Sequence, residues 1–171
     1  MEDKINKRLT ENQKDFFNKL SVYIDKPLYF YGSINRGDYI PGKSDIDIDI
    51  FTDNESSTIH MLCNFLHLNK SKFRKSVYKI NSKMVYGYKG KYEDESNNIK
   101  VEISIYNNKY KSIVLHDQEI NSVLPLYVTV VLLIVKFLYY NLGIISKHTY
   151  AKCKRYLMNE GGELKFILVD N

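Results

Sequence analysis

Residues 31–51 read YGSINRGDYIPGKSDIDIDIF. The second half, Asp45 to Phe51, alternates strictly between acid and isoleucine. On a strand, residues two apart share a face. Asp45, Asp47 and Asp49 therefore line one side, and Ile46, Ile48 and Ile50 the other. Two carboxylates side by side in a half-buried site repel each other. Hard divalent cations with a preference for oxygen relieve that repulsion. The first half supplies the complement. Leu28 to Tyr31 is a short apolar strand, and Gly32-Ser33 opens a polar loop that ends near Ser44. Glycine lets backbone approach a phosphate closely, and the Ser33 hydroxyl with nearby N–H groups can donate to its oxygens. Arg36 adds a charged fork. A third carboxylate, Glu102, lies on another alternating strand, Ile99 to Ile105. A phosphate cradle beside a carboxylate set is equipment for metal-assisted phosphoryl transfer.

A second motif overlaps the first. Gly37 to Ser44 spells G-x-x-x-x-G-K-S, the P-loop string. That motif needs a helix beginning at its Lys-Ser so that N–H groups point at phosphates. Here Ser44 runs straight into a period-2 strand, so the context fails. Pro41-Gly42 is read as a turn between two antiparallel strands.

Outward from this stretch, Thr10 to Ile24 reads as an amphipathic helix capped by Thr10 and broken at Asp25-Lys26-Pro27. Asp53 or Asn54 caps a helix running to about Leu68. On it His60, Cys63 and His67 share an arc, but they border an apolar stripe and lack a fourth ligand, so a zinc site is not favoured. Residues 73–80 and 83–89 read as strands, 90–98 as a mobile hairpin tip, and 111–115 as one more strand. A long apolar helix spans about Val123 to Leu142. Its length would cross a bilayer, but Pro125, Lys136 and Asn141 favour a buried core helix over a membrane span. Ser146 caps a last helix ended by Gly161-Gly162, with Lys147, Lys152 and Arg155 opposite Tyr150, Cys153 and Leu157. Leu164 to Val169 reads as a terminal strand added at a sheet edge.

Composition bounds the rest. The chain has 171 residues, 44% hydrophobic and 26% charged, which suits a folded domain and excludes disorder. Of its 25 basic residues 21 are Lys, alongside 16 Asn, 18 Ile and 15 Tyr. That profile is what AT-rich coding produces, so the net charge of +5 is weak evidence for nucleic-acid binding. Two cysteines with no CxxC pair argue against a disulfide scaffold and for a reduced, cytoplasmic setting. No signal peptide is expected, because charges interrupt the first apolar stretch.

Gly32-Ser33, eleven residues, then Asp45-Ile46-Asp47-Ile48 resembles the signature of the DNA-polymerase-β-like nucleotidyltransferase superfamily. The fuller string is similar to its minimal nucleotidyltransferase branch, where Gly-Ser-x-x-Arg-Gly precedes Ser-Asp-Ile-Asp. The motif likeness covers residues 28–52, and element order extends it to about 106. Alone, an alternating acidic strand would be an ordinary solvated face; Gly-Ser and Arg36 ahead of it decide for the site. The resemblance implies an α/β fold of the α+β type, with a small mixed, largely antiparallel, palm-like sheet backed by helices. It implies a core over residues 1–112 and a helical extension over 113–171. It implies transfer of a nucleoside monophosphate from an NTP such as ATP to an acceptor hydroxyl, with release of pyrophosphate. Gly32, Ser33, Arg36 and Ser44 would hold the nucleotide. Asp45, Asp47 and Glu102 would be the catalytic carboxylates and ligands of two Mg2+ ions, with Mn2+ as a substitute. The superfamily more often has Asp at the third position. Asp49 is not required by the motif. The acceptor, whether RNA, protein or small molecule, is not written in it. The expected partners are a second copy of the chain or a helical protein, and no membrane. The alternative is an antitoxin-like or accessory binding module that keeps the fold and acts through a protein partner or nucleic acid.

Overall fold

The computed structural model describes residues 2–158 and 166–169. Thr10 accepts from the Gln13 N–H while the Gln13 side chain accepts from the Thr10 N–H, a reciprocal cap that starts helix α2 (Glu11–Ile24) after a short α1 (Glu2–Asn6). Strand β1 (Tyr29–Tyr31) leads into a 3-10 turn at Gly32–Ile34, then a loop, then β2 (Ile46–Thr52). Asn54, accepting from the Ser57 N–H, caps α3 (Glu55–Leu66). Strands β3 (Arg74–Ile80), β4 (Lys83–Asp94) and β5 (Ile99–Asn107) follow, then helices α4 (Lys111–Ser122), α5 (Leu126–Tyr140) and α6 (Lys147–Leu157), and strand β6 (Phe166–Val169).

The strands form one sheet in the order β1-β2-β5-β4-β3-β6. Every pairing is antiparallel except β2 with β5. Pro41-Gly42 turns within the connection of the antiparallel β1 and β2, and β6 extends the β3 edge. The fold is therefore the mixed, largely antiparallel α/β arrangement expected. The isoleucine side of β2 packs with Ile99, Val101, Ile103 and Ile105 of β5 under α2 and α3, where Leu20, Ile24, Ile59 and Leu62 close the main core. On the other side, Phe51, Val85, Tyr106 and Val114 make a smaller apolar cluster. It covers only one end of that face. The other end is left to polar groups.

Four expectations need correction. Residues 111–115 begin a helix rather than a strand; a short apolar run does not distinguish the two. The supposed tip at 90–98 is mostly strand, since β4 continues through Gly90 to Asp94 and only 95–98 turn. Gly90 is a packing position there, where a Cβ would come within 2.7 Å of the Phe73 ring. The apolar helix starts at Leu126, with Pro125 as its N-cap and Val123 extended two residues before it; the residue preceding a proline is disfavoured in the helical region. It is also no core helix: only Val128, Leu132 and Lys136 are buried. Among the described residues, no single helix is long and apolar enough to cross a membrane. The last helix ends at Leu157 with Met158 as its C-cap, ahead of the expected Gly161-Gly162, which lie outside the described residues.

Candidate active site

The register of the sheet puts side chains from four strands into rows. Tyr31, Asp47, Glu102 and Lys91 are successive neighbours across β1, β2, β5 and β4. Tyr29, Asp49, Ser104 and Lys89 form the next row, and Phe51, Tyr106 and Gly87 lie across β2, β5 and β4 beyond them. The parallel β2–β5 pair thus sets Asp47 directly against Glu102. Asp45, just before β2, is half-exposed.

Gly32 closes one side of this group. Its φ is +71°, and a Cβ built there would lie 2.1 Å from Asp47 Oδ2. Only glycine tolerates both the conformation and the contact. Ser33 follows it in the 3-10 turn and is buried.

The electrostatics are crowded. Burial pushes the Asp47 carboxyl up to about 6, and facing Glu102 adds to it, against Lys154 of α6 and Lys89. Burial also works against the charge on Glu102, but Lys89 at 2.5 Å and Lys91 at 3.1 Å offset it and hold that carboxyl below its usual range. Lys91 also reaches Asp45 at 3.5 Å. Asp49 is fully buried. Burial drives its carboxyl far above the usual range; Gln118 of α4 donates to Oδ2, while Oδ1 has no hydrogen-bond partner among the described residues. It lies buried under the site, away from solvent.

The loop between Ser33 and Ser44 is built around a second, buried charge cluster. Arg36 Nε donates to Asp38 Oδ1 at 2.9 Å, and Lys136 Nζ from α5 meets Asp38 Oδ2 at 3.0 Å. The same ammonium donates to the Asp38 carbonyl at 2.6 Å and to Ser44 Oγ at 3.3 Å. Arg36, Asp38, Ser44 and Lys136 are all buried. Burial opposes the Asp38 charge, yet Arg36 and Lys136 together keep its carboxyl below the usual range. Arg8 donates to the Ile34 and Arg36 carbonyls from the other side. The structure therefore brings Gly32, Ser33, Asp45, Asp47 and Glu102 to one end of the sheet, and sets Arg36 and Ser44 inside the loop's own scaffold.

Sequence reasoning did not pick out Lys89, Lys91 or Lys154 as site residues. Lys89 and Lys91 carried a signal: two bases at i and i+2 on a strand match the spacing of Asp45 and Asp47. Taking Gly90 as a break hid it. Lys154 stands near only through tertiary packing of α6 on α5, where Tyr139 and Tyr150 stack at 4.7 Å.

The donor set suits a hard cation. Asp47 and Glu102 oppose each other on neighbouring strands, Asp45 is adjacent, and the ammonium of Lys91 spans Asp45 and Glu102 as a stand-in for positive charge. Among the described residues, no three His, Cys, Asp or Glu side chains converge as a ready cage. The fit is thus one of charge and chemistry, with the lysines offsetting part of the acidic charge.

Residues 10–149 match the model of the nucleotidyltransferase domain. Similar solved structures include the Cid1 poly(U) polymerase with MgGTP bound, at 15% identity over 77% of this chain and 44% of that one, TM-score 0.42. A cytoplasmic RNA terminal U-transferase matches at 15% identity over 83% of this chain and 46% of that one, TM-score 0.44. The GLD-2/RNP-8 complex matches at 14% identity over 95% of this chain and 65% of that one, TM-score 0.45. This chain spans about half the length of the first two. No curated protein matches the sequence.

Proposed function

The chain belongs to the nucleotidyltransferase domain family, a branch of the polymerase-β-like superfamily, and from that premise we propose that it transfers a nucleoside monophosphate from an NTP to an acceptor hydroxyl, releasing pyrophosphate. The observation that supports this most is the pairing of Asp47 with Glu102 on parallel strands, with the Gly32 backbone pressed against the Asp47 carboxylate. In this reading Asp45, Asp47 and Glu102 hold magnesium. The bound metal supplies Lewis-acid neutralisation of phosphate charge and makes the acceptor hydroxyl more acidic.

The chain's own residues do the remaining work. Gly32 lets the backbone lie against the Asp47 carboxylate, and Ser33, next along the turn, donates to phosphate oxygens brought there. Asp47 gives up its proton as pH rises through about 6, before it can serve as an anionic ligand. Lys89 keeps Glu102 ionised despite its burial. Arg36 and Ser44 act on the nucleotide at one remove: they fix the loop that presents Gly32 and Ser33. We further propose residues 1–112 as the catalytic core and 113–171 as its helical extension, since α5, α6 and all but the start of α4 lie in it, while β6 returns to the core sheet. The proposed setting is the cytoplasm, in keeping with two unpaired cysteines.

The acceptor class is open to direct measurement. The purified chain is incubated with α-labelled ATP, UTP, GTP or CTP, with Mg2+ or Mn2+, and with RNA, protein or small-molecule acceptors. Label should pass to one class with stoichiometric release of pyrophosphate. No transfer under any combination, together with no rise in melting temperature on adding NTP and metal, would end this reading.

A further inference from the structure

Helix α5 has two opposed faces. Val128, Leu132 and Lys136, four residues apart, are buried, and Lys136 meets the loop at Asp38 and Ser44. At about 100° per residue, the opposite side carries Tyr127, Val130, Ile134 and Phe137. Their spacing is three, four, three. That is the seam by which one helix packs into another. All four are exposed, between 46% and 70%. Leu126, at 81%, borders them.

We propose that this seam is a homodimer interface, occupied by α5 of a second copy packed antiparallel across a two-fold axis. Three observations choose that occupant. The spacing fits a helix rather than a strand or a small molecule. The face is uncharged, because Lys136 is the single ionisable side chain of 126–140 apart from tyrosines and points inward to Asp38. A chain of net charge +5 meets its own copy most cheaply over a neutral patch, whereas an acidic or basic partner finds no charge there to pair with. The area also reaches what a specific contact needs. Aromatic side chains bury about 150–250 Å2 each and aliphatic ones less, so Leu126 and the four seam residues, half- to mostly exposed, present on the order of 600 Å2. Specific interfaces begin at about 600 Å2 per partner, which is also the upper end for the largest patch on a typical monomer. Antiparallel pairing sets the helix dipoles in opposition and makes the contact self-complementary. This goes beyond the proposed reaction and does not depend on it.

Sedimentation velocity of the 171-residue chain, from low to high micromolar, tests it. The expected particle is twice 20.1 kDa, dissociating on dilution. Ile134→Glu with Phe137→Glu should give a monomer across the range. Val22→Glu, at an exposed apolar position on α2, should leave the dimer intact. Far-UV circular dichroism checks that the double variant is folded. Independently of any variant, amide exchange of the wild type should show protection over 123–138 that is lost on dilution. A wild type that is monomeric throughout overturns the proposal, as does a folded double variant that stays dimeric. Monomeric wild type captured by phosphatidylcholine vesicles would overturn it too, assigning the face to lipid.

Discussion

Two charge clusters sit a short distance apart in this molecule, and they have been finished differently. Around Asp38, one buried carboxylate meets Arg36 and Lys136 with good geometry, and its carboxyl is held low. Around Asp47, two carboxylates oppose each other across a strand pair, and the Asp47 carboxyl is pushed up to about 6. The first cluster is complete within the chain. The second carries an excess of negative charge that Lys89 and Lys91 only partly offset. A buried ion pair of the first kind holds a loop in shape; a crowd of the second kind costs stability unless a cation joins it. That contrast separates scaffold from candidate chemistry more clearly than burial or residue type.

The largest expected effect is on the unfinished cluster. Asp45→Asn with Asp47→Asn should reduce nucleotidyl transfer by roughly 100-fold or more, the scale of losing positioned catalytic groups. Because like-charge repulsion goes with them, the melting temperature of the metal-free protein should hold or rise. A double variant that keeps wild-type transfer would place the chemistry elsewhere. The finished cluster should behave in the opposite way. Asp38→Asn leaves Arg36 and Lys136 buried without an anion, a loss of about 3–5 kcal/mol in stability. Urea unfolding measures it. A change of under about 1 kcal/mol would mean that water already reaches those cations.

The contrast also explains what the sequence could reveal. Period-2 alternation is a local signal, so DIDIDIF fixed a strand, its two faces and the carboxylate row before any coordinates. Gly32 was readable because its role is played within fifteen residues of Asp47. Lys136 lies 98 residues from Asp38, and nothing local marks it as the counter-charge of that loop. On the sequence it argued only against a membrane. Arg36 looked like a free fork for phosphate because its partner two residues away is recognisable only once Lys136 closes the cluster. The α5 helix misled for a related reason. Hydrophobicity says that a face will be covered, but not whether this chain covers it.

The two clusters should also respond to pH with opposite signs. Asp47, raised from 3.8 to about 6, binds its proton more tightly folded than unfolded. Metal-free stability from this group therefore falls as pH rises from about 4 to about 6. Asp38 is lowered, so its contribution is present above the unfolded value of 3.8 and lost as pH drops through its lower folded value. Denaturation in EDTA at a series of pH values should show a decline over the upper window in wild type and a flatter profile in Asp47→Asn. The stabilisation given by Mg2+ with NTP should grow over the same window, since metal and proton compete for one carboxylate. A wild-type profile as flat as the variant's would remove the case for a crowded Asp47.

The smallest effect should come from Lys91→Ala, and it bears most closely on what the lysines do. The Lys91 side chain is 60% exposed and meets Asp45 at 3.5 Å and Glu102 at 3.1 Å. An exposed pair of this kind contributes about 0–1 kcal/mol, so the melting temperature should barely move. Lys89 is different: it is mostly buried, touches Glu102 at 2.5 Å and donates to the Tyr78 hydroxyl at 3.2 Å, so Glu102 stays paired when Lys91 is removed. If Lys91 stands where positive charge is needed only until a metal arrives, its loss removes a competitor. The Mg2+ concentration for half-maximal transfer should then fall a few-fold, with KM for NTP unchanged. If instead Lys91 contacts the triphosphate, KM for NTP should rise and the Mg2+ requirement should stay where it was. Titrating Mg2+ at saturating NTP, and NTP at saturating Mg2+, in both proteins tells a placeholder from a ligand-binding residue.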